Sequence, residues 1–284
     1  MSSATFVSPD WLAAELNKPD LVVVDGSWYL PAMKRDGRAE YVASHIPGAV
    51  YFDIDDVKDI NSTLPHMLPP PEVFALHMAR LGISDGQRIV VYDGAGLVSA
   101  PRVWLTFRIF GAKEVSILEG GFPAWKAKNL PVESGNTVRA PGRFTPRFAA
   151  DAVANMQRVS DALKQGTAQV IDARPAGRFR GEDPEPRAGV ASGHIPGSIN
   201  VPSSAVVADG KLASPEQIKK VFENAGYDPD RPVIASCGSG VSAAVLWLAL
   251  EAIGKQPEAL YDGSWSEWGT NPDMPKATGP AKKP

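Results

Sequence analysis

The chain contains a single cysteine, Cys237. An apolar run, Val233 to Ser236, leads into Cys237-Gly238-Ser239-Gly240-Val241-Ser242, and an apolar, helix-forming stretch begins near Ala243. A strand that turns into a helix through glycines points backbone N–H groups and the positive helix end at the side chain on the turn. Gly238 and Gly240 allow the backbone angles that such an inward-curling loop requires. A thiol held there is favoured as the thiolate, the form that acts as a nucleophile. A free cysteine in an ordinary setting is a buried, inert small hydrophobe, so the loop carries this reading. One cysteine also excludes an intramolecular disulfide and a cysteine-based metal cluster. No metal and no organic cofactor is expected.

The elements that must position Cys237 are visible because the chain repeats itself once, roughly 145 residues apart. Ser44-His45-Ile46-Pro47-Gly48-Ala49 returns as Gly193-His194-Ile195-Pro196-Gly197-Ser198, each after an apolar run that ends in an aspartate, Asp25 or Asp172. Arg88 to Gly96 matches Pro232 to Gly240, and Trp104, Gly111, Gly120 and Trp125 recur as Trp247, Gly254, Gly263 and Trp268. Each copy reads as strand, long loop, strand, helix, strand, helix, strand, which predicts an α/β fold with a mainly parallel sheet and helices on both faces. The strands are the short apolar runs Leu21–Val24, Ile89–Tyr92, Val170–Ile171 and Val233–Ala235. Pro101 to Phe110 and Ala243 to Ile253 are the matching helices, the second with Val245, Leu246, Leu248, Ala249 and Ile253 on a broad apolar face. Glycines follow both, at Gly111 and Gly254. Two domains are expected, residues 1–135 and 151–284, joined by a Pro- and Gly-rich linker over 136–150. The tail from Asn271 reads as irregular. At the position of Cys237 the first copy has Asp93, which makes that copy a non-catalytic partner.

Composition narrows the function. Of 284 residues, 44% are hydrophobic and 21% charged, the profile of ordinary folded domains, and Gly and Pro, 26 of each, indicate many shaped loops. A net charge of −3 argues against nucleic-acid binding by bulk electrostatics. The longest apolar stretch, Ala243 to Leu250, is far shorter than the ~20 residues that cross a bilayer, so no membrane association is expected. The first sixteen residues show neither a basic n-region nor an apolar h-region, and a cytoplasmic location is expected.

Together, the tandem copies, the paired His-Ile-Pro-Gly motifs and the Cys237-Gly238-Ser239-Gly240-Val241-Ser242 loop resemble the two-domain rhodanese superfamily, and within it the 3-mercaptopyruvate sulfurtransferases. The resemblance spans nearly the whole chain, including Asp25-Gly26-Ser27-Trp28 and Tyr261-Asp262-Gly263-Ser264-Trp265. Thiosulfate-specific members place Arg and Lys after the cysteine, where this loop has Gly238 and Ser239; Ser242 stands where Thr is common. The resemblance implies a Cys237 persulfide, a small-molecule sulfur donor, release of pyruvate, and a thiol acceptor such as thioredoxin, or cyanide. It also implies substrate contacts from Gly238, Gly240, Val241 and Ser242. Its substrate-gripping arginines map onto Arg178 and Arg187, with Arg180 a nearby competitor, and Arg is chemically suited to a carboxylate. A relay in the family maps onto Ser239, His66 and Asp55, where Asp53 or Asp56 is an alternative to Asp55. His45 and His194, present in both copies, read as turn-stabilising residues.

Three other readings compete. Gly238-x-Gly240-x-x-Ala243 between strand and helix satisfies a dinucleotide fingerprint, with Asp262 about twenty residues on, but too little chain follows for the rest of such a sheet. A cysteine phosphatase loop requires Arg where Ala243 stands. A non-catalytic anion-binding scaffold, or a thiosulfate sulfurtransferase, remains open.

Overall fold

The computed structural model describes residues 5–281; the outermost residues of the two expected domains, 1–4 and 282–284, lie outside it. The chain forms two compact units, one of residues 1–60, 68–149 and 209–211, the other of 61–67, 150–208 and 212–284.

The first unit contains β1 (Phe6–Val7), α1 (Pro9–Glu15), β2 (Leu21–Asp25), α2 (Gly37–Ala43), β3 (Val50–Tyr51), α3 (Pro71–Leu81), β4 (Arg88–Tyr92), α4 (Ala100–Ile109), β5 (Val115–Leu118) and α5 (Gly121–Ala127). Its five strands are parallel, in the order β1-β5-β4-β2-β3. The second unit repeats this plan with β6 (Val153–Ala154), α6 (Met156–Gln165), β7 (Gln169–Asp172), α7 (Ala176–Arg180) and β8 (Ile199–Asn200). After a short pair of strands, β9 (Val207–Ala208) and β10 (Lys211–Leu212), come α8 (Pro215–Asn224), β11 (Val233–Ser236), α9 (Ala243–Ala252), β12 (Ala259–Tyr261) and α10 (Ser264–Trp268). The order β6-β12-β11-β7-β8, again parallel, is that of the first sheet element for element. Parallel strands need crossover connections, and burial of both sheet faces by those helices explains why β2, β7 and β11 are apolar without alternation.

In each unit the strand that carries the key loop lies at the centre of its sheet. It feeds the most buried helix, α4 or α9. Every residue from Ala243 to Leu250 is buried, so α9 packs on all sides rather than through the one apolar face that periodicity suggests. Each copy also opens with a strand and helix, and closes with a helix, beyond the elements that the repeat predicts. Residues 131–149 form neither helix nor strand, yet they pack on the first unit: Gly142 and Arg147 donate to Ala79 and Phe110 carbonyls, and Phe144 is buried edge-on against Phe74. No helix among the described residues is long and apolar enough to cross a membrane.

The two copies treat one repeated aspartate differently. Asp172, at the end of β7, is paired with buried Arg174, two nitrogens of which reach its carboxylate. Asp25, at the end of β2, has Ser27 in the place of Arg174 and receives hydrogen bonds from the Ser27 amide and hydroxyl and from Tyr92. Burial raises its pKa to about 6, and neighbouring Asp93 adds to the rise. The folded state thus holds this proton more tightly than the unfolded chain, and stability is lost as pH rises from about 4 through about 6. Asp25→Asn, which keeps an acceptor for Ser27, is expected to stabilise the protein by roughly 3 kcal/mol at pH 7 and by much less at pH 4. Urea unfolding at both pH values checks this; an equal effect at the two would contradict it.

Candidate functional site

Cys237 follows β11 directly and is buried. Its loop is held from outside by the start of α10. The Ser264 hydroxyl accepts from the Cys237 amide at 3.1 Å and donates to the Tyr261 carbonyl at 2.7 Å. The Trp265 amide donates to the Cys237 carbonyl, and the Ser266 amide and hydroxyl both donate to the Gly238 carbonyl. Among the described residues, the amides of Ser239, Val241, Ser242 and Ala243 donate to no other protein group. Gly240 has φ +76°, the left-handed conformation that its glycine makes inexpensive.

The first copy shows what such a loop binds. Asp93 is fully buried, and its carboxylate accepts from Ala95, Val98, Ser99 and Ala100 amides at 2.7–2.9 Å. Four donors converge on one anion, and the anion is supplied by the residue that aligns with Cys237. The Phe122 amide donates to the Asp93 carbonyl as the Trp265 amide does to that of Cys237. Gly121 occupies the place of Ser264 at φ +56°; Ser264 keeps nearly the same angle, +50°, with a side chain. A serine in the left-handed region costs roughly 1 kcal/mol or more. The copy with the cysteine therefore carries strain and gains a hydroxyl on the Cys237 amide.

Beside the loop lies a buried charge network. Arg174 donates to Asp172, to the Gly193 carbonyl and, at 2.7 Å, to Glu185, and its guanidinium stacks over the Trp265 ring. Burial alone would lower the pKa of Arg174, but Asp172 and Glu185 outweigh it and hold it above the ordinary range. Glu185 also grips Arg178, accepting from its Nη2 at 2.5 Å and its Nε at 3.2 Å. The Arg178 guanidinium lies against Gly238: a Cβ on that glycine would come 3.1 Å from Nη2. Arg187 is partly buried in the segment between α7 and β8. Arg180 is half-exposed, with one edge of its fork, Nε and Nη2, on Glu182.

Buried His66 has φ +60° and belongs to the second unit, where its Nδ1 lies 3.1 Å from the Ser239 hydroxyl oxygen. Asp55 belongs to the first unit and accepts from the Trp28 indole N–H; its amide donates to Asp53, whose carboxyl is pushed up by burial. His45 and His194 each donate from Nδ1 to a carbonyl earlier in the chain, that of Tyr41 or Phe179, and stack on that residue's ring at 4.2 and 3.8 Å. The same geometry in both copies suits a turn support. Sequence reasoning missed Arg174, Glu185 and Ser264. Only Ser264 left a signal, a serine where the repeat has glycine.

A family model described as a rhodanese-like domain matches residues 8–128 and 155–271. A 3-mercaptopyruvate sulfurtransferase of Escherichia coli (strain K12) is 44% identical over 97% of this chain and 98% of that protein. A thiosulfate/3-mercaptopyruvate sulfurtransferase 1, mitochondrial, of Arabidopsis thaliana is 41% identical over 96% of this chain and 78% of its own length. Among solved structures, the crystal structure of a 3-mercaptopyruvate sulfotransferase from Escherichia coli superposes with a TM-score of 0.86 and 42% identity, covering 93% of this chain and 99% of that one.

The Asp93 arrangement generates a direct test. Asp93→Ala leaves four amides, two of them buried, without their acceptor and is expected to destabilise the protein by about 3 kcal/mol, with Asp93→Asn between it and wild type. Urea midpoints decide, and an Asp93→Ala protein as stable as wild type would remove the carboxylate from this role.

Proposed function

The chain belongs to the rhodanese-like family, carrying two copies of its domain, and on that premise we propose that it is a sulfurtransferase that takes sulfur from 3-mercaptopyruvate through a Cys237 persulfide. The observation that carries the reading is Arg178 set against Gly238, beside the single thiol: a carboxylate-binding fork next to a nucleophile whose own loop is uncharged. Mercaptopyruvate carries its anion at the far end from its sulfur. Thiosulfate is a compact dianion and demands positive charge at the sulfur itself.

In the first half-reaction the Cys237 thiolate attacks the donor sulfur. The new S–S bond forms as the C–S bond breaks, its electron pair passing to carbon to give the enolate of pyruvate, which takes up a proton. Covalent transfer of this kind splits one difficult step into two easier ones. Arg178 and Arg187 hold the carboxylate and ketone of the donor, and Gly238, Gly240, Val241 and Ser242 line its path. Ser239 and His66 move the proton, with Asp55 as the outer member of that relay. The amides of the loop stabilise sulfur-centred negative charge as the Asp93 ring of amides stabilises a carboxylate. In the second half-reaction an acceptor thiolate, with thioredoxin one candidate, or cyanide attacks the outer sulfur and returns the Cys237 thiolate. The first copy, residues 1–135, is the non-catalytic domain and residues 151–284 the catalytic one. A cytoplasm that keeps thiols reduced suits a lone reactive cysteine.

Steady-state pyruvate release with mercaptopyruvate, against sulfite release with thiosulfate, tests the donor. The expected result is a kcat/KM at least tenfold higher for mercaptopyruvate, and a loss of about 1.5–3 kcal/mol in that quantity for Arg178→Ala. Thiosulfate as the preferred donor would overturn the reading.

A further inference from the structure

Resting on the reading above, the geometry points to Glu185 as a positioning residue: by gripping one edge of Arg178 it presents the other edge to the donor carboxylate. We propose this role from three observations. The first is edge selection. Glu185 takes Nε and Nη2 of Arg178, and among the described residues Nη1 has no protein partner, so the end of the fork formed by Nη1 and Nη2 is the edge left for a ligand. Guanidinium recognition of a carboxylate is bidentate and directional, so the choice of edge fixes where a substrate lies.

The second observation is that Glu185 is itself immobilised. Its side chain is only 4% exposed and its Oε1 also accepts from buried Arg174, which Asp172 anchors to the end of β7. Two carboxylates and two guanidiniums form a chain from the sheet to Arg178, and buried charges arranged in such a balanced chain are tolerable where one alone is not. Arg178 is therefore registered to the same sheet that carries Cys237, which β11 places next to β7 through Ser236 and Asp172.

The third observation is an internal repetition. In the first copy Glu40 grips Arg35 through Nε at 2.8 Å and Nη2 at 2.6 Å, and Arg35 Nη2 lies beside Gly94, the counterpart of Gly238. The Tyr41–His45 and Phe179–His194 stacks align Glu40 with Arg178 in the chain, so the aligned position carries the glutamate of the pair in one copy and the arginine in the other, each with a partner from a different place in the chain, while the side-on pair beside the first loop glycine is kept. A pair rebuilt with a partner from a non-equivalent position indicates that the geometry, rather than one residue, matters to this loop.

Glu185→Asp keeps the charge and shortens the reach by one methylene; Glu185→Gln keeps the reach and removes the charge. Both are expected to lower kcat/KM for mercaptopyruvate about tenfold through KM, while alkylation of Cys237 by neutral iodoacetamide stays within twofold of wild type. On an Arg178→Ala background either substitution is expected to change KM less than twofold, since nothing is left to position. Thermal melts verify the fold, and if one variant does not fold the other supplies the same comparison. Arg178→Ala raising KM while both folded Glu185 variants leave it unchanged, or Glu185→Gln lowering it, would overturn the positioning role alone. An unchanged KM in Arg178→Ala would instead overturn the substrate contact proposed above.

Discussion

Backbone amides that converge at the carboxyl end of a central parallel strand require a negative charge, and the two halves of this molecule meet that requirement in different ways. In the first copy Asp93 supplies a carboxylate that satisfies four amides. In the second copy the aligned residue is Cys237, and the corresponding amides have no protein acceptor among the described residues. A buried donor without a partner costs about 1–3 kcal/mol. The carbonyl anchors from α10 hold this loop in place. The filled ring is a structural joint, and the open one is the site proposed above for chemistry.

The supporting structure follows from holding that open ring rigid. Cys237 directly follows the central strand of its sheet, and its loop runs into a helix buried along most of its length, so neither end of the loop can drift. Ser264 accepts backbone strain where the first copy uses glycine, and its hydroxyl fixes the Cys237 amide. Strain of this kind is stored at working sites and offset elsewhere. The charge chain from Asp172 through Arg174 and Glu185 to Arg178 places a cation against the loop without placing one in it. The contrast with Asp25, left without a cation and raised to about 6, shows how much of the second copy's polar interior is specific to that copy.

The sequence made the family and the fold class legible because both are long-range patterns: two repeats, two buried strand sets, and paired His-Ile-Pro-Gly turns. The Cys237 loop was legible for the opposite reason, being a local signature of strand, glycines and helix around the one thiol. The partners of that loop were not. Arg174 and Glu185 lie in the aperiodic stretch between β7 and β8, where no spacing rule says which charges meet, and prolines on both sides of Glu185 suggest an exposed loop rather than a nearly buried carboxylate. The positive φ of Ser264 and His66 cannot be read from residue type, since both conformations are disfavoured by it. Burial of α9 on all sides from Ala243 to Leu250 was hidden by its lack of any polar face to contrast with an apolar one.

The account turns on sulfur being held covalently at Cys237 between donor and acceptor. Intact-mass spectrometry of the protein incubated with 3-mercaptopyruvate and no acceptor measures this directly. The predicted result is a gain of one sulfur atom, about 32 Da, that is absent in Cys237→Ser and disappears when a thiol acceptor is added. An unchanged mass in wild-type protein that turns over normally would contradict it.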